Sequence, residues 1–181
     1  VKAVANSKGR LIVSGIGKSA IIAQKIVATL NSTGTPSVFM HAADAIHGDL
    51  GMIQTDDVVM VISKSGNSPE IKVLAPLVKN FGNTLIGMVG NTESFLAGNC
   101  DIVLNTTVEQ EACPINLAPT SSTTAQMVMG DALAVCLMEL KEFNSSDFAK
   151  YHPGGALGKK LYLRVEEMAA QNAKPKVLPT A

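Results

Sequence analysis

Val58-Val59-Met60-Val61-Ile62-Ser63-Lys64-Ser65-Gly66-Asn67-Ser68-Pro69-Glu70 reads as a strand, a hydroxyl-rich turn and the start of a helix. The apolar run before Ser63 fits a buried strand. Ile71, Val73, Leu74, Leu77 and Val78 then recur at helical spacing. Three hydroxyls and a glycine therefore fall on one strand-to-helix turn. Backbone N–H groups and a helix dipole can hold a phosphate at such a turn. Pro69 suits the first helical position, with Ser68 as N-cap. A well-capped helix explains Ser68 alone. It does not explain Ser63, Ser65 and Ser68 together, because one cap needs one hydroxyl.

The same β-α pattern repeats on either side. Leu11-Ile12-Val13 is a short strand ending at Gly15, followed by a helix from about Lys18 to Asn31. Ser37–Met40 is a second strand, and Asp57–Ser63 the third. The helix after Pro69 runs to about Asn80. Thr84–Val89 and Asp101–Leu104 are the fourth and fifth strands, joined by a short helix near Glu93–Ala97. Continuous apolar strands alternating with helices predict a five-stranded parallel sheet covered on both faces, an α/β/α sandwich. Ligands of such sheets bind beyond the carboxyl ends of the strands, so the loops after Val13, Met40, Ile62, Val89 and Leu104 should share one rim. Ser121 to Leu140 is apolar almost all round, which predicts burial in a core or, preferably, a subunit interface.

At 181 residues the chain suits a single domain with a real core. It is 46% hydrophobic and 17% charged, which excludes disorder. The zero net charge leaves no basic footprint for nucleic acid, and no apolar run is long enough for a membrane span. Cys100, Cys113 and Cys136 lack CxxC spacing and read as reduced thiols, with Cys136 in a core. No secretory leader is visible, so a cytoplasmic location is expected. The chain does not begin with Met, so further N-terminal sequence is expected. Ala169 to Ala181 reads as a tail or linker after a domain spanning 1–168.

Gly15-Ile16-Gly17-Lys18-Ser19-Ala20 opens the first helix. A P-loop needs glycine where Ile12 stands. A dinucleotide site needs an acid about 20 residues on, but the first acidic residue is Asp44. No nucleotide or other cofactor is expected. What remains is a glycine turn carrying Lys18, a cation at a helix start where the dipole disfavours it, and hence a candidate partner for an anion. His41, His47 and Asp49 are a conceivable metal set, though hydrogen bonding is the commoner role for histidine. Glu111 is either a solvated loop charge or a general base at the rim. Ser121 and Ser122 belong to a second hydroxyl-rich helix start, and His152-Pro153-Gly154-Gly155 is a turn able to present an imidazole.

Together these segments resemble the sugar isomerase (SIS) domain, and more narrowly the arabinose-5-phosphate isomerases. The resemblance rests on Gly15-x-Gly17-Lys18-Ser19, Ser32–Pro36, His47–Met52, the Ser63–Glu70 loop, Glu111–Pro114, Leu117–Ala125, Met129–Ala134 and His152–Gly158. It implies interconversion of D-ribulose 5-phosphate and D-arabinose 5-phosphate through an enediol(ate), a step feeding Kdo synthesis for lipopolysaccharide or capsule. It also implies a homotetramer with active sites shared between subunits. No metal is required, and His41 and His47 become a candidate inhibitory zinc site. Lys18, Glu70, Glu111 and His152 are the implied catalytic set. Gly17, Ser19, His47, Ser63, Ser65, Ser68, Ser121 and Ser122 are the implied substrate-binding positions. Glu111 is expected to be the base, with apolar surroundings raising its pKa toward neutrality. A Kdo-type product is expected to feed back on the same site. Many relatives carry paired CBS modules, for which this chain leaves no length. A phosphosugar sensor, or an isomerase of another phosphosugar, is the alternative reading.

Overall fold

The computed structural model describes residues 1–162. The boundary expected at residue 168 and the tail 169–181 lie outside the described residues. Five strands, β1 (Leu11–Gly15), β2 (Ser37–His41), β3 (Val58–Ser63), β4 (Leu85–Val89) and β5 (Ile102–Asn105), form one sheet in the order β2-β1-β3-β4-β5. Every pairing is parallel, with Gly15 level with His41 and Ile62, and Ser63 level with Val89. The expected α/β/α sandwich is thus observed.

Side-chain alternation divides the strands between two cores. Leu11, Val13, Val58, Met60, Ile62, Ile86 and Met88 face α2 (Lys18–Ser32) and α6 (Ser121–Leu140). Ile12, Val59, Val61, Leu85 and Val89 face the other layer. There they meet α3 (Ala42–Ala45), α4 (Pro69–Asn80) and α5 (Phe95–Asn99). A strand buried on both faces has no polar side to show, which is why β3 reads as an unbroken apolar run.

The short helices α1 (Lys2–Ala5), α3, α7 (Ser145–Tyr151) and α8 (Ala156–Tyr162) lacked a usable periodicity in the sequence. One of them is well specified: Asn144 and Asp147 form a reciprocal capping box at the start of α7.

Within the single protomer α6 is buried along one face. Ser122, Gln126, Gly130, Leu133, Ala134 and Leu137 are buried, a stripe of helical period that packs on α2. A Cβ on Gly130 would lie 2.3 Å from Ile26 Cγ1, so glycine sets how closely the two helices cross. The opposite face exposes Val128 and Val135, and Leu140 is exposed at the end of the helix. Cys136 is exposed as well, not a core residue, and all three thiols are unpaired.

Candidate active site

A sheet of this order changes winding direction between β1 and β3, and ligand sites form at such switch points. A cleft of about 280 Å³ lies there. Ile16, Lys18 and Ser19 reach it from the loop after β1. Ser63, Lys64, Ser65 and Ser68 come from the loop after β3. Pro119, Ser122, Thr123 and Gln126 come from the start of α6. The loop after β2 does not line it, because β2 lies beyond β1 from the switch point.

The serine loop is held by its own hydroxyls and by α5. Ser63 Oγ accepts the Gly66 N–H at 3.0 Å, and Ser65 Oγ accepts the Asn67 N–H at 3.3 Å. Both O–H hydrogens remain to be donated to a ligand. Gly66 has φ +63°, and its carbonyl accepts the Leu96 N–H. Asn67 Oδ1 accepts the Phe95 N–H. Ser68 stands at the N-cap of α4, yet its hydroxyl makes no capping hydrogen bond and is a buried, unpartnered polar atom. Capping therefore does not account for this serine. Glu70 follows in the first turn of α4, where its charge suits the helix dipole, and it is not part of the cleft wall.

Gly17 is the N-cap of α2, with φ 60°, and the first turn holds no acid. Lys18 is exposed to the cleft and makes no ion pair among the described residues. Ser19 donates to Gln126 Oε1 at 3.3 Å, tying the first loop to α6.

Glu111 stands behind the cleft wall. Its side chain is 0% exposed, and Oε1 takes the Lys64 ammonium at 2.6 Å. Oε2 accepts the N–H groups of Thr120 at 2.7 Å and Ser122 at 3.1 Å. The carboxylate thus serves as the N-terminal anion of α6, a helix whose N-cap residue provides no side-chain cap. The loop beneath is closed by Asn116, which accepts the Glu111 N–H at 2.7 Å and adopts φ 54°. The Lys64 ammonium, followed by the hydrogen bonds at the start of α6, holds Glu111 well below the usual carboxylate range. The expectation that apolar surroundings raise its pKa is overturned, because burial is outweighed by a cation and aligned donors.

His152 lies at the opposite end of the protomer. α6 spans about 30 Å, from the cleft at Ser122 to Lys141, which donates to Gly34 O and Thr35 Oγ1 beside the start of β2. α7 follows there, its Tyr151 close to Gly34. His152 caps α7, stacks on Phe148 at 3.8 Å between ring centroids, and places Nδ1 2.8 Å from Phe148 O. A donating Nδ1–H leaves Nε2 free as an acceptor. His47 is exposed after α3, and His41 Nδ1 is 3.7 Å from Asp44 Oδ2. Among the described residues no group of three or more His, Cys, Asp or Glu is placed to hold a metal ion. Nor, among them, is any helix long and apolar enough to cross a membrane.

The cleft therefore collects Lys18, Ser19, Ser63, Ser65, Ser68 and Ser122, with Glu111 reached through Lys64. Ser121 sits one residue outside the wall, and Glu70, His47 and His152 do not join it. Sequence reasoning missed Lys64 and Gln126. The position of Lys64 between two candidate phosphate-binding serines was the available signal.

Such a cleft at the switch point of such a sheet defines a doubly wound α/β domain with a hydroxyl-rich ligand site. Residues 4–136 match the SIS domain model, and the chain belongs to that family. It is 56% identical to arabinose 5-phosphate isomerase KdsD of Pseudomonas aeruginosa, over 94% of this chain and 53% of that protein. It is 52% identical to arabinose 5-phosphate isomerase KpsF of Escherichia coli O6:H1, over 91% of this chain and 50% of that protein. The chain thus spans about half the length of these curated relatives. Among solved structures, an Escherichia coli CFT073 protein in complex with A5P superposes with a TM-score of 0.82 at 47% identity. That match covers 84% of this chain and 81% of the other.

Proposed function

We propose that this chain is the catalytic domain of an aldose–ketose isomerase that interconverts D-arabinose 5-phosphate and D-ribulose 5-phosphate. The observation that carries the reading is the cleft itself. It joins a triple-serine loop, a lysine with no ion pair among the described residues and, behind one wall, a buried carboxylate. The kinship to arabinose 5-phosphate isomerases supports the choice of substrate.

In this reading the hydroxyls of Ser63, Ser65, Ser68 and Ser122 hold the phosphate, and that remote anchor positions C1 and C2. Glu111 takes the C2 proton of the aldose and returns it to C1 of the enediolate. Lys18 stabilises the enediolate oxygen, a contribution of about 3–4 kcal/mol on the scale of a lost oxyanion donor. Glu70 orients a hydroxyl or Lys18. His152 assists ring opening or relays a proton between O1 and O2.

Because His152 and the cleft occupy opposite ends of one protomer, His152 serves the site of a neighbouring copy. The assembly in this reading is a homotetramer with shared sites, which the exposed apolar residues of α6 support. The enzyme works in the cytoplasm, feeding Kdo synthesis. A Kdo-type product, being an anionic polyol, competes for the same cleft.

The deciding experiment incubates the protein with arabinose 5-phosphate and measures ketopentose. Glucosamine 6-phosphate and sedoheptulose 7-phosphate are run as rival substrates. Isomerisation of arabinose 5-phosphate alone, seen as new ketopentose, is expected. Tight phosphosugar binding with no isomerisation of any of them overturns the assignment in favour of a sensor.

A further inference from the structure

Lys64 has two roles open to it, and its surroundings fit both. Its ammonium pairs with Glu111, yet the side chain is 48% exposed and lines the cleft between Ser63 and Ser65. Its backbone is fixed by the Gly90 N–H, which donates to Lys64 O at 3.0 Å. A Cβ on Gly90 would lie 3.1 Å from Lys64 Cγ, so the absence of one leaves a lane for the lysine stem. The charge balance is equally specific. With Lys64 neutralised by Glu111, Lys18 is, among the described residues, the one cation without an ion pair that the cleft offers a phosphate. A phosphate monoester carries close to two negative charges at neutral pH. Meanwhile both Glu111 oxygens are occupied, Oε1 by Lys64 and Oε2 by the Thr120 and Ser122 amides. A carboxylate so engaged is a poor proton acceptor.

We propose that Lys64 is a positioning residue that exchanges partners, leaving Glu111 for the phosphate of an incoming sugar phosphate and thereby freeing Oε1 as the proton acceptor. The chemistry rests on the isomerase reading above, while the exchange itself requires only an anion on the serine loop. One event then solves two problems. The phosphate gains a second cation beside the hydroxyl donors. The base strengthens only when a substrate is seated, because the cation that weakened it has moved away. Glu111 stays held at the start of α6 through Oε2, so its position does not change. Lys64 is the charged side chain that faces it from the serine loop, and the amides of Thr120 and Ser122 are the dipoles that face it from α6.

The test uses the full chain with Lys64→Met, Lys64→Gln and Lys64→Arg. Inorganic phosphate binding is followed by calorimetry, and isomerisation of arabinose 5-phosphate across pH. Loss of the charge is expected to weaken phosphate binding about tenfold or more in the Met and Gln variants, with Arg restoring most of it. KM is expected to rise with it, and the acid limb of kcat/KM to move to higher pH, since free Glu111 no longer has a cation beside it. The Gln variant keeps a hydrogen bond to Glu111, so it stands in if the Met variant fails to fold. Wild-type phosphate affinity in a folded, uncharged variant overturns the proposal, since a lysine that only neutralises Glu111 would give that result. A wild-type protein that isomerises while Lys64 proves irrelevant to phosphate leaves the isomerase reading standing. Lys64-dependent phosphate binding without any ketose removes the isomerase reading and keeps the exchange.

Discussion

Glu111 shows how little residue type reveals about protonation. A buried carboxylate in apolar surroundings is pushed toward the neutral acid, whereas one beside a cation and two aligned amides is pushed the other way. Here the second effect wins. The sign of its contribution to stability follows. A group whose folded pKa is depressed stabilises the protein above its ordinary value, about 4.5 for this glutamate, and that contribution is lost as pH falls toward the folded value. Wild-type stability is therefore expected to fall below about pH 4.5. Glu111→Gln should give a flatter profile there in chemical denaturation at stepped pH. The same variant keeps the shape but not the base, so kcat should drop by about 10²–10⁴-fold in the ketopentose assay. Turnover at the wild-type rate would remove Glu111 from the chemistry.

The turn after β3 and the crossing of α2 with α6 are the two elements that shape the cleft, and each depends on a glycine. At Gly66 a side chain would have to adopt φ +63° with its Cβ 2.1 Å from Ser94 Oγ. Gly66→Ala should cost about 1–3 kcal/mol by urea unfolding, and should also raise KM by shifting the serine hydroxyls. Stability lost with KM unchanged would mean that the loop does not hold the phosphate. At Gly130, any Cβ meets Ile26. Gly130→Val should destabilise by about 1–3 kcal/mol through overpacking. Because Gln126 lies one turn before it and bonds Ser19, the change should be felt at the cleft as lower kcat/KM.

At the scale of the molecule, the length of α6, about 30 Å, separates the cleft from the segment that leads into α7. Lys18 and the serines crown one end, and His152 sits on the short helices at the other. A protomer acting alone cannot bring them together. If the proposed shared sites exist, Lys18→Met and His152→Ala should each be inactive by itself, and co-refolding them should restore partial activity, with an intact lysine from one copy meeting an intact histidine from another. Sedimentation should show assemblies larger than a monomer. Mixed assemblies that form without any recovery would rule out shared sites.

Much of the fold was legible because it depends on local pattern. All five strands, and the helices α2, α4 and α6, lie within about two residues of where apolar periodicity predicts them. The serine loop was legible for the same reason: a strand, a turn and a helix start are adjacent in the chain. Of the short helices only α5 was anticipated, near Glu93–Ala97; α1, α3, α7 and α8 were not, since four to seven residues carry no readable period. Nor were the partners of Glu111. Lys64 lies 47 residues away and Thr120 nine, joined only when the segment after β5 folds back under α6. Sequence alone determined the parallel α/β sandwich and the hydroxyl turn. The tertiary structure decided which loops make the cleft, because strand order sets the switch point between β1 and β3. It also decided the charge state of Glu111, because a pKa answers to neighbours in space rather than in sequence.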